Sequence, residues 1–580
     1  MRRTGGRTRA VGRAGPAACV ARLLLVVIGG CQTTSQTSAP VVVDDAGIRD
    51  GAWLHDIATS AGLVHNRLDA DYATLQGRFG GGVCVLDVNA DGMLDLFFPG
   101  STTAGGPGSQ LYVAQPGTPL RYVDEAAKRG LARTGDGGGC LAVDLDGDGR
   151  DEVLTTGLAG ARLFRDDGSG AYGDVSERLP KIFPADLLTT SAVAFDADGD
   201  GLLDLAIANY GHFKPPPAGT PCNGPCVADV RQYDYGSTSL LMQAPDGTFV
   251  DHSERLGAHK EPGLVLLATD LDDDGKLDLF VGNDFASVPD HYYRGDGKGG
   301  FTDVATELGV AFAASKSGIS SMSATDPDFD GDGHLDLVES SEALDGDASF
   351  RCVPTASPAL CTDVAESIGL LGAKENFRWG QALADFDDDG VLEMLEAVGD
   401  IKAPGDADGT GVLWQTKDSP YLWHRTDPKA PFTLADHVYR LGAGTGGRGA
   451  TAPSTAGRSV VPIDLDADGD LDVVIGSALG RPLLLENVRA PRGHALGITL
   501  VGAGKNRRGI GAKVTVHVGS RAMPAIVHAG SGWESSDDGH LHFGLGAADH
   551  VDSIEVRWPS GKTSTLAVTP AGAPLVITEP

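Results

Sequence analysis

A nine-residue pattern recurs seven times along the chain and limits its fold more than any other feature. Acidic or amide residues stand at positions 1, 3, 5 and 9, with glycine at position 6. The first four copies are Asp87, Asn89, Asp91, Asp95; Asp144, Asp146, Asp148, Glu152; Asp196, Asp198, Asp200, Asp204; and Asp270, Asp272, Asp274, Asp278. The last three are Asp328, Asp330, Asp332, Asp336; Asp385, Asp387, Asp389, Glu393; and Asp464, Asp466, Asp468, Asp472. Repetition of this kind makes the chain an array of like units. The spacing has a chemical reason: alternate side chains of a curled loop converge on one centre, and calcium takes six to eight hard oxygens at flexible angles. The position-7 carbonyl adds a further oxygen, from Met93, Arg150, Leu202, Lys276, His334, Val391 and Asp470. Glycine at position 6 permits the sharp turn. Magnesium prefers a stricter octahedron that keeps several waters, and is the weaker fit. Up to seven calcium ions are therefore expected, one per loop.

Helix–loop–helix calcium sites begin the same way, but they need a carboxylate at position 12 and a helix beyond it. Position 12 is Phe98, Thr155, Ile207 and Val281 in the first four loops. The flanks are apolar, β-rich runs such as 192–195 and 205–207, so each loop joins two strands. A second marker alternates with the loops: an aromatic or apolar residue, then Asp, often followed by Gly-Leu. It occurs around Trp53 and Asp56, Tyr122 and Asp124, Phe301 and Asp303, and at Asp174, Asp251 and Asp363, with a degenerate copy near Phe432. A third strand-like run, such as Leu163 and Phe164, lies between. Four short strands per repeat make a propeller blade, and seven blades close a ring without exposed edges. Abundant glycine (82 residues) and few aromatics (6%) suit short strands and tight turns. The last repeat lacks its final marker strand while the chain begins with one, so residues 52–56 are expected to complete the blade of the Asp464 loop.

The N-terminus reads as a targeting segment. Arg2, Arg3, Arg7, Arg9, Arg13 and Arg22 precede an apolar run, 23–28, and Ile28, Gly29, Gly30 and Cys31 resemble a bacterial lipobox. Residues 1–30 are expected to be a lipoprotein signal peptide, with a lipid on Cys31 as the only membrane attachment and 31–50 a flexible tether. The formal charge of −33 becomes −39 without those six arginines. Such a surface disfavours nucleic acid. In an oxidising envelope, Cys222 with Cys226 and Cys352 with Cys361 are natural local disulfides. Cys84 and Cys140, in apolar runs, are expected as buried free thiols.

These loops resemble the FG-GAP/VCBS repeat family, whose blades also occur in integrin alpha-subunit propellers. The resemblance implies calcium in each loop; Glu152, Glu393 and Asn89 depart from its usual ligands. The C-terminal stretch carries Asn506, Gly509, Gly511, Gly530, Gly532, Trp533, His542, Gly546, Trp558 and Gly561 in the pattern of an ASPIC/UnbV domain. Glu534 to Asp538 replaces a Ser-Gln step common in that family, which leaves its ligand specificity open. Propeller followed by such a domain is the arrangement of the cartilage-acidic-protein-like family. The expected fold is therefore all-β, a seven-bladed propeller over 51–488 and a small β-rich domain over 489–580.

No HExxH, GxSxG or phosphate-loop motif occurs, and no catalytic residue is assigned. His540 and His542 alternate on an expected strand and read as surface positions. The resulting expectation is a monomeric envelope or cell-surface module that binds a glycan or protein, with calcium mainly structural. A polysaccharide lyase or hydrolase and a purely structural envelope protein are the alternatives. The insertions near 210–237 and 400–432 offer Tyr210, His212, Tyr233, Tyr235, Trp414, Tyr421 and Trp423, which could stack on sugars or pack onto a blade.

Overall fold

Each metal-type loop lies between the inner two strands of a four-stranded antiparallel unit. A computed structural model describes residues 53–64, 79–100, 108–133, 137–158, 160–212, 234–313, 319–341, 346–354, 360–370, 377–399, 420–435, 439–441, 456–478, 480–489, 493–530 and 532–580. Cys31, Cys222, Cys226, Tyr233 and Trp414 lie outside these residues. The first unit runs Cys84–Leu86, Asp95–Phe98, Gln110–Gln115 and Arg121–Asp124, each strand paired with the next. The same order repeats through seven sheets, the last starting at Gly457–Ile463. Inner strands of successive sheets touch around a ring. Closure comes where the Ser459 hydroxyl donates to the Gly81 carbonyl. Apolar side chains fill the spaces between neighbouring sheets: Val83, Val85, Leu96, Val461 and Val474 form one such core, joining the seventh blade to the first.

The seventh blade is completed from the other end of the chain. Leu54–Asp56 pairs antiparallel with Leu483–Asn487, Leu54 opposite Asn487, and Tyr439–Leu441 adds a parallel strand outside it. Asp56 and Arg481, both almost fully buried, form an ion pair there. The marker aspartates end the outer strands by capping the turn that follows. Asp56, Asp124, Asp174, Asp251, Asp303 and Asp363 each accept the backbone N–H two residues on, at 3.0–3.1 Å. This local Asx bond ends the strand in favour of a turn.

Beyond the ring, Leu541–Gly546, His494–Val501 and Leu575–Thr578 form one sheet, and Arg521–Ile526, Lys513–Val518, His550–Arg557 and Thr563–Pro570 another. Their core is continuous with that of the second and third blades: Leu496, Val514 and Trp558 belong to one buried cluster with Leu141, Val143 and Leu203.

Cys352 and Cys361 are disulfide-bonded. Cys84 and Cys140 are not free thiols but a second disulfide, across 56 residues of sequence. Each begins the inner strand of its blade, and the ring sets those strands side by side with Cα atoms 6.0 Å apart, within bridging range. Three of the insertion aromatics belong to the scaffold. Tyr210 is fully buried and donates to Asp284; Tyr421 and Trp423 lie in the strand Tyr421–His424, where buried Trp423 donates to Glu396.

Candidate metal centres beneath a docked C-terminal domain

The seven loops share one backbone architecture. Position 6 has φ between +82° and +97° in every copy, the left-handed region that glycine alone enters without penalty. Position 4 is left-handed too, with φ between +54° and +77°. It is Gly147, Gly199 and Gly331 in three loops, but Ala90, Asp273, Asp388 and Ala467 in the others. Spacing of acidic residues gave no hint of this second turn. The double turn points backbone N–H groups inward. The position-6 N–H donates to the position-1 carboxylate in all seven, at 2.6–3.2 Å. The position-7 N–H donates to the position-5 carboxylate at 2.8–3.2 Å. Met93, Arg150, Leu202, Lys276, His334, Val391 and Asp470 are thus placed as donors through their backbone N–H.

Position 9 ties the loop to the blade. Asp95, Glu152, Asp204, Asp336, Glu393 and Asp472 accept the position-2 N–H at 2.8–3.2 Å. In the fourth loop, the Tyr292 hydroxyl accepts that N–H from Leu271 and donates to Asp278. The other oxygen of Asp95, Asp204, Asp278, Asp336 and Asp472 accepts an N–H of the third strand or its end, at 2.7–2.8 Å.

The loops also bring carboxylates close together. Within each of four trios, Asp144, Asp146 and Glu152; Asp196, Asp198 and Asp204; Asp270, Asp272 and Asp274; and Asp328, Asp330 and Asp332, one ligand atom from each residue lies within 4.8 Å of the other two. Burial, reinforced by this crowding of like charge, pushes the carboxyls up. Asp95 and Asp204 stand at about 7, Glu152 at about 8, Asp336 at about 9 and Glu393 at about 10. At position 1, Asp270 stands at about 6, Asp328 at about 7 and Asp385 at about 8. Hard oxygens gathered at this density fit a divalent cation of the calcium type. The second, fourth, fifth and sixth loops already hold a basic side chain, Arg351 at Asp330 in the fifth and Arg489 at Asp387 in the sixth. Arg165 reaches Asp146 at 2.6 Å, Asp148 at 3.0 Å and Glu152 at 3.2 Å, and Arg294 reaches Asp272 at 2.6 Å.

The C-terminal domain sits on this loop face and meets three alternate loops at position 4. The Arg507 guanidinium donates to the Gly147 carbonyl, Lys513 pairs with Asp273 at 2.9 Å, and His542 with Asp388 at 2.7 Å. His542 is therefore not a surface residue: the strand that carries it is pressed against the sixth loop. Arg557 pairs with Asp270, a position-1 residue. In the second loop, position 8 is Asp151 where the other six have Leu. That buried carboxylate meets Arg508 at 2.7 Å.

The segment from Gly532 to Asp538 enters the centre of the ring. Ser535 Oγ accepts the Val83 N–H at 3.1 Å, Ser536 Oγ the Ala142 N–H at 3.0 Å, and the Glu534 carbonyl the Cys140 N–H at 3.1 Å. Trp533 is 1% exposed, donates to the Phe79 carbonyl, and packs against Trp379 with ring centroids 4.8 Å apart. Room for this plug comes from glycine: a Cβ on Gly82 would lie 2.2 Å from the Glu534 carbonyl oxygen, and one on Gly139 2.5 Å from Glu534 Cβ. The paired runs 80–82 and 137–139, all glycine, were the sequence signal for it.

A cleft of about 890 Å³ remains between the first and seventh loops and the docked domain. Asp464, Asp466 and Asp468 line one wall, and His494, Asp538 and His540 the other.

An FG-GAP-like repeat model matches residues 144–207 and 270–339, and an ASPIC and UnbV model matches 502–580. Cartilage acidic protein 1 of Mus musculus is 26% identical over 543 residues, spanning 87% of this chain and 74% of that protein. The Homo sapiens protein of the same name is 25% identical over 540 residues, 86% and 72% of the two chains. Among solved structures, an Agrocybe aegerita lectin that recognises non-reducing terminal N-acetylglucosamine aligns at a TM-score of 0.36 and 16% identity, over 61% of this chain and 79% of that one.

Proposed function

The chain carries FG-GAP-like repeats followed by an ASPIC and UnbV domain, and from that premise we propose a calcium-binding protein of the cell envelope or cell surface that recognises a glycan or a protein. The observation that supports calcium is the common inward set of carboxylates in seven loops, pre-organised by backbone donors. Bound calcium would offset the mutual repulsion of these acids. Positions 1, 3 and 5 would hold it, while position 9 joins the loop to the third strand. The metal's role in this reading is structural, because the docked domain covers part of the loop face.

The cleft beside the first and seventh loops is the proposed ligand site. Its carboxylate and imidazole groups accept and donate hydrogen bonds to hydroxyls, which suits a glycan. A monomer held to the membrane only by a lipid on Cys31 completes the proposal; among the described residues, no helix is long and apolar enough to cross a membrane. The test is binding of the calcium-loaded full chain to a glycan array and to envelope extracts, beside His494→Ala and His540→Ala. Loss of binding in these variants, with an unchanged melting temperature, is expected. Undiminished binding would remove the cleft from the account, and turnover of a polysaccharide would replace binding with catalysis.

A further inference from the structure

We propose that His259, Glu261 and His291 bind one transition-metal ion of the zinc type, at a site separate from the acidic loops. His259 and Glu261 lie on the connection between the outer strand of the third blade, Phe249–Asp251, and the inner strand of the fourth, Gly263–Thr269. His291 begins the fourth blade's third strand, His291–Gly295. The pairing places them at one end of that blade, where Gly263 faces Asn283 and Val281 faces His291. The acidic loop is at the other end, beyond the Thr269–Asp278 pair. The site is thus on the face opposite the docked C-terminal domain.

One ligand atom from each of the three residues lies within 4.8 Å of the other two. His291 Nε2 meets a Glu261 oxygen, and the His259 and His291 ring centroids are 4.3 Å apart. The other nitrogen of His291, Nδ1, lies 2.7 Å from Asp303 Oδ2. A carboxylate behind an imidazole fixes its tautomer and orientation, and is the usual outer partner of a metal-binding histidine. At Gly257 φ is +87°, and a Cβ there would stand 3.1 Å from His259 Nε2, so glycine leaves room for the ring. A recess of about 10 Å³ opens among the same three side chains, room for about one water-sized occupant.

The donors decide the metal class. Two imidazole nitrogens and one carboxylate oxygen suit zinc and its neighbours, with a fourth position left for water or a ligand group. Calcium takes oxygen donors and would stay in the loops. Glu261, His291 and Asp303 alone would fasten the connection to the fourth blade without any metal. His259 separates the two roles, since it is exposed and meets His291 through its ring.

The test is calorimetric titration of the full chain, stripped with chelator and then held in excess calcium, with zinc. One zinc equivalent is expected. His259→Ala should abolish it with an unchanged melting temperature, and Asp303→Asn should weaken it roughly 10–100-fold. Cobalt in place of zinc should give the visible absorption of a four-coordinate site, lost in His259→Ala. No zinc equivalent in calcium, or the same equivalent in His259→Ala and His291→Ala, would overturn the proposal and leave an ion-paired staple.

Discussion

Position 4 of the loops carries backbone strain that the motif does not advertise. Ala90, Asp273, Asp388 and Ala467 hold φ values of +54° to +60°, where an L-residue is penalised. At position 6, a Cβ on Gly92 would meet nothing within 4 Å, so a side chain there faces only the conformational penalty. Gly92→Ala should therefore cost about 1–2 kcal/mol. Ala90→Gly should be close to neutral, relief of strain being offset by glycine's larger chain entropy; urea unfolding at fixed calcium measures both. The buried carboxyls set a pH dependence. Asp95 and Asp204 at about 7, Glu152 at about 8 and Asp336 at about 9 lie above the ordinary carboxyl range, so the metal-free native state keeps protons that the unfolded chain has released. Stability then falls as pH rises from about 4 through these values. In the proposed reading, calcium bound in the loops would favour the ionised form and reverse that loss. Chelated protein should melt lower at pH 8 than at pH 5.5, with the gain from calcium larger at pH 8. A calcium effect equal at both would contradict this.

Blades were legible because their signals are local. The loop motif and the marker aspartates each act within a few residues, so their period locates the strands, and the missing marker in the last repeat pointed to Leu54–Asp56. Contacts between blades were not legible in the same way. Nothing near Cys84 or Cys140 says that the two meet; only a ring that sets neighbouring inner strands side by side does so. The tie from Asp95 to Ala114, or from Asp336 to Cys352, likewise depends on the third strand's register. That register makes position 9 a joint within the blade, a role the loop motif alone did not show. Replacing both Cys84 and Cys140 with Ser should lower stability by about 2–4 kcal/mol, since the bond closes a long loop in the unfolded chain. Denaturant unfolding with and without reductant checks it, and a variant as stable as the parent would show the bond to be dispensable.

At the scale of the whole molecule, the C-terminal domain proves to be part of the ring's construction. Its strands were foreseeable from alternating runs such as Lys513–Val518; the placement of Trp533 inside the channel was not. It needed the glycines at 82 and 139 to be read together with a segment some four hundred residues later. Trp533→Ala should cost about 3–5 kcal/mol, because the emptied volume is walled by Phe79, Trp379 and other ring residues that cannot all close in. Thermal unfolding should then show ring and domain destabilised together; a second, separate transition would argue that the plug is incidental. The reading of the seven loops rests on one premise, that divalent cations bound there hold the acidic face together. Thermal unfolding of the full, metal-stripped chain across a calcium series tests that premise most directly. The melting temperature should climb steadily with calcium, as linkage to native-state binding requires, and the same concentration of magnesium should do less. A melting temperature unmoved by millimolar calcium would contradict the account.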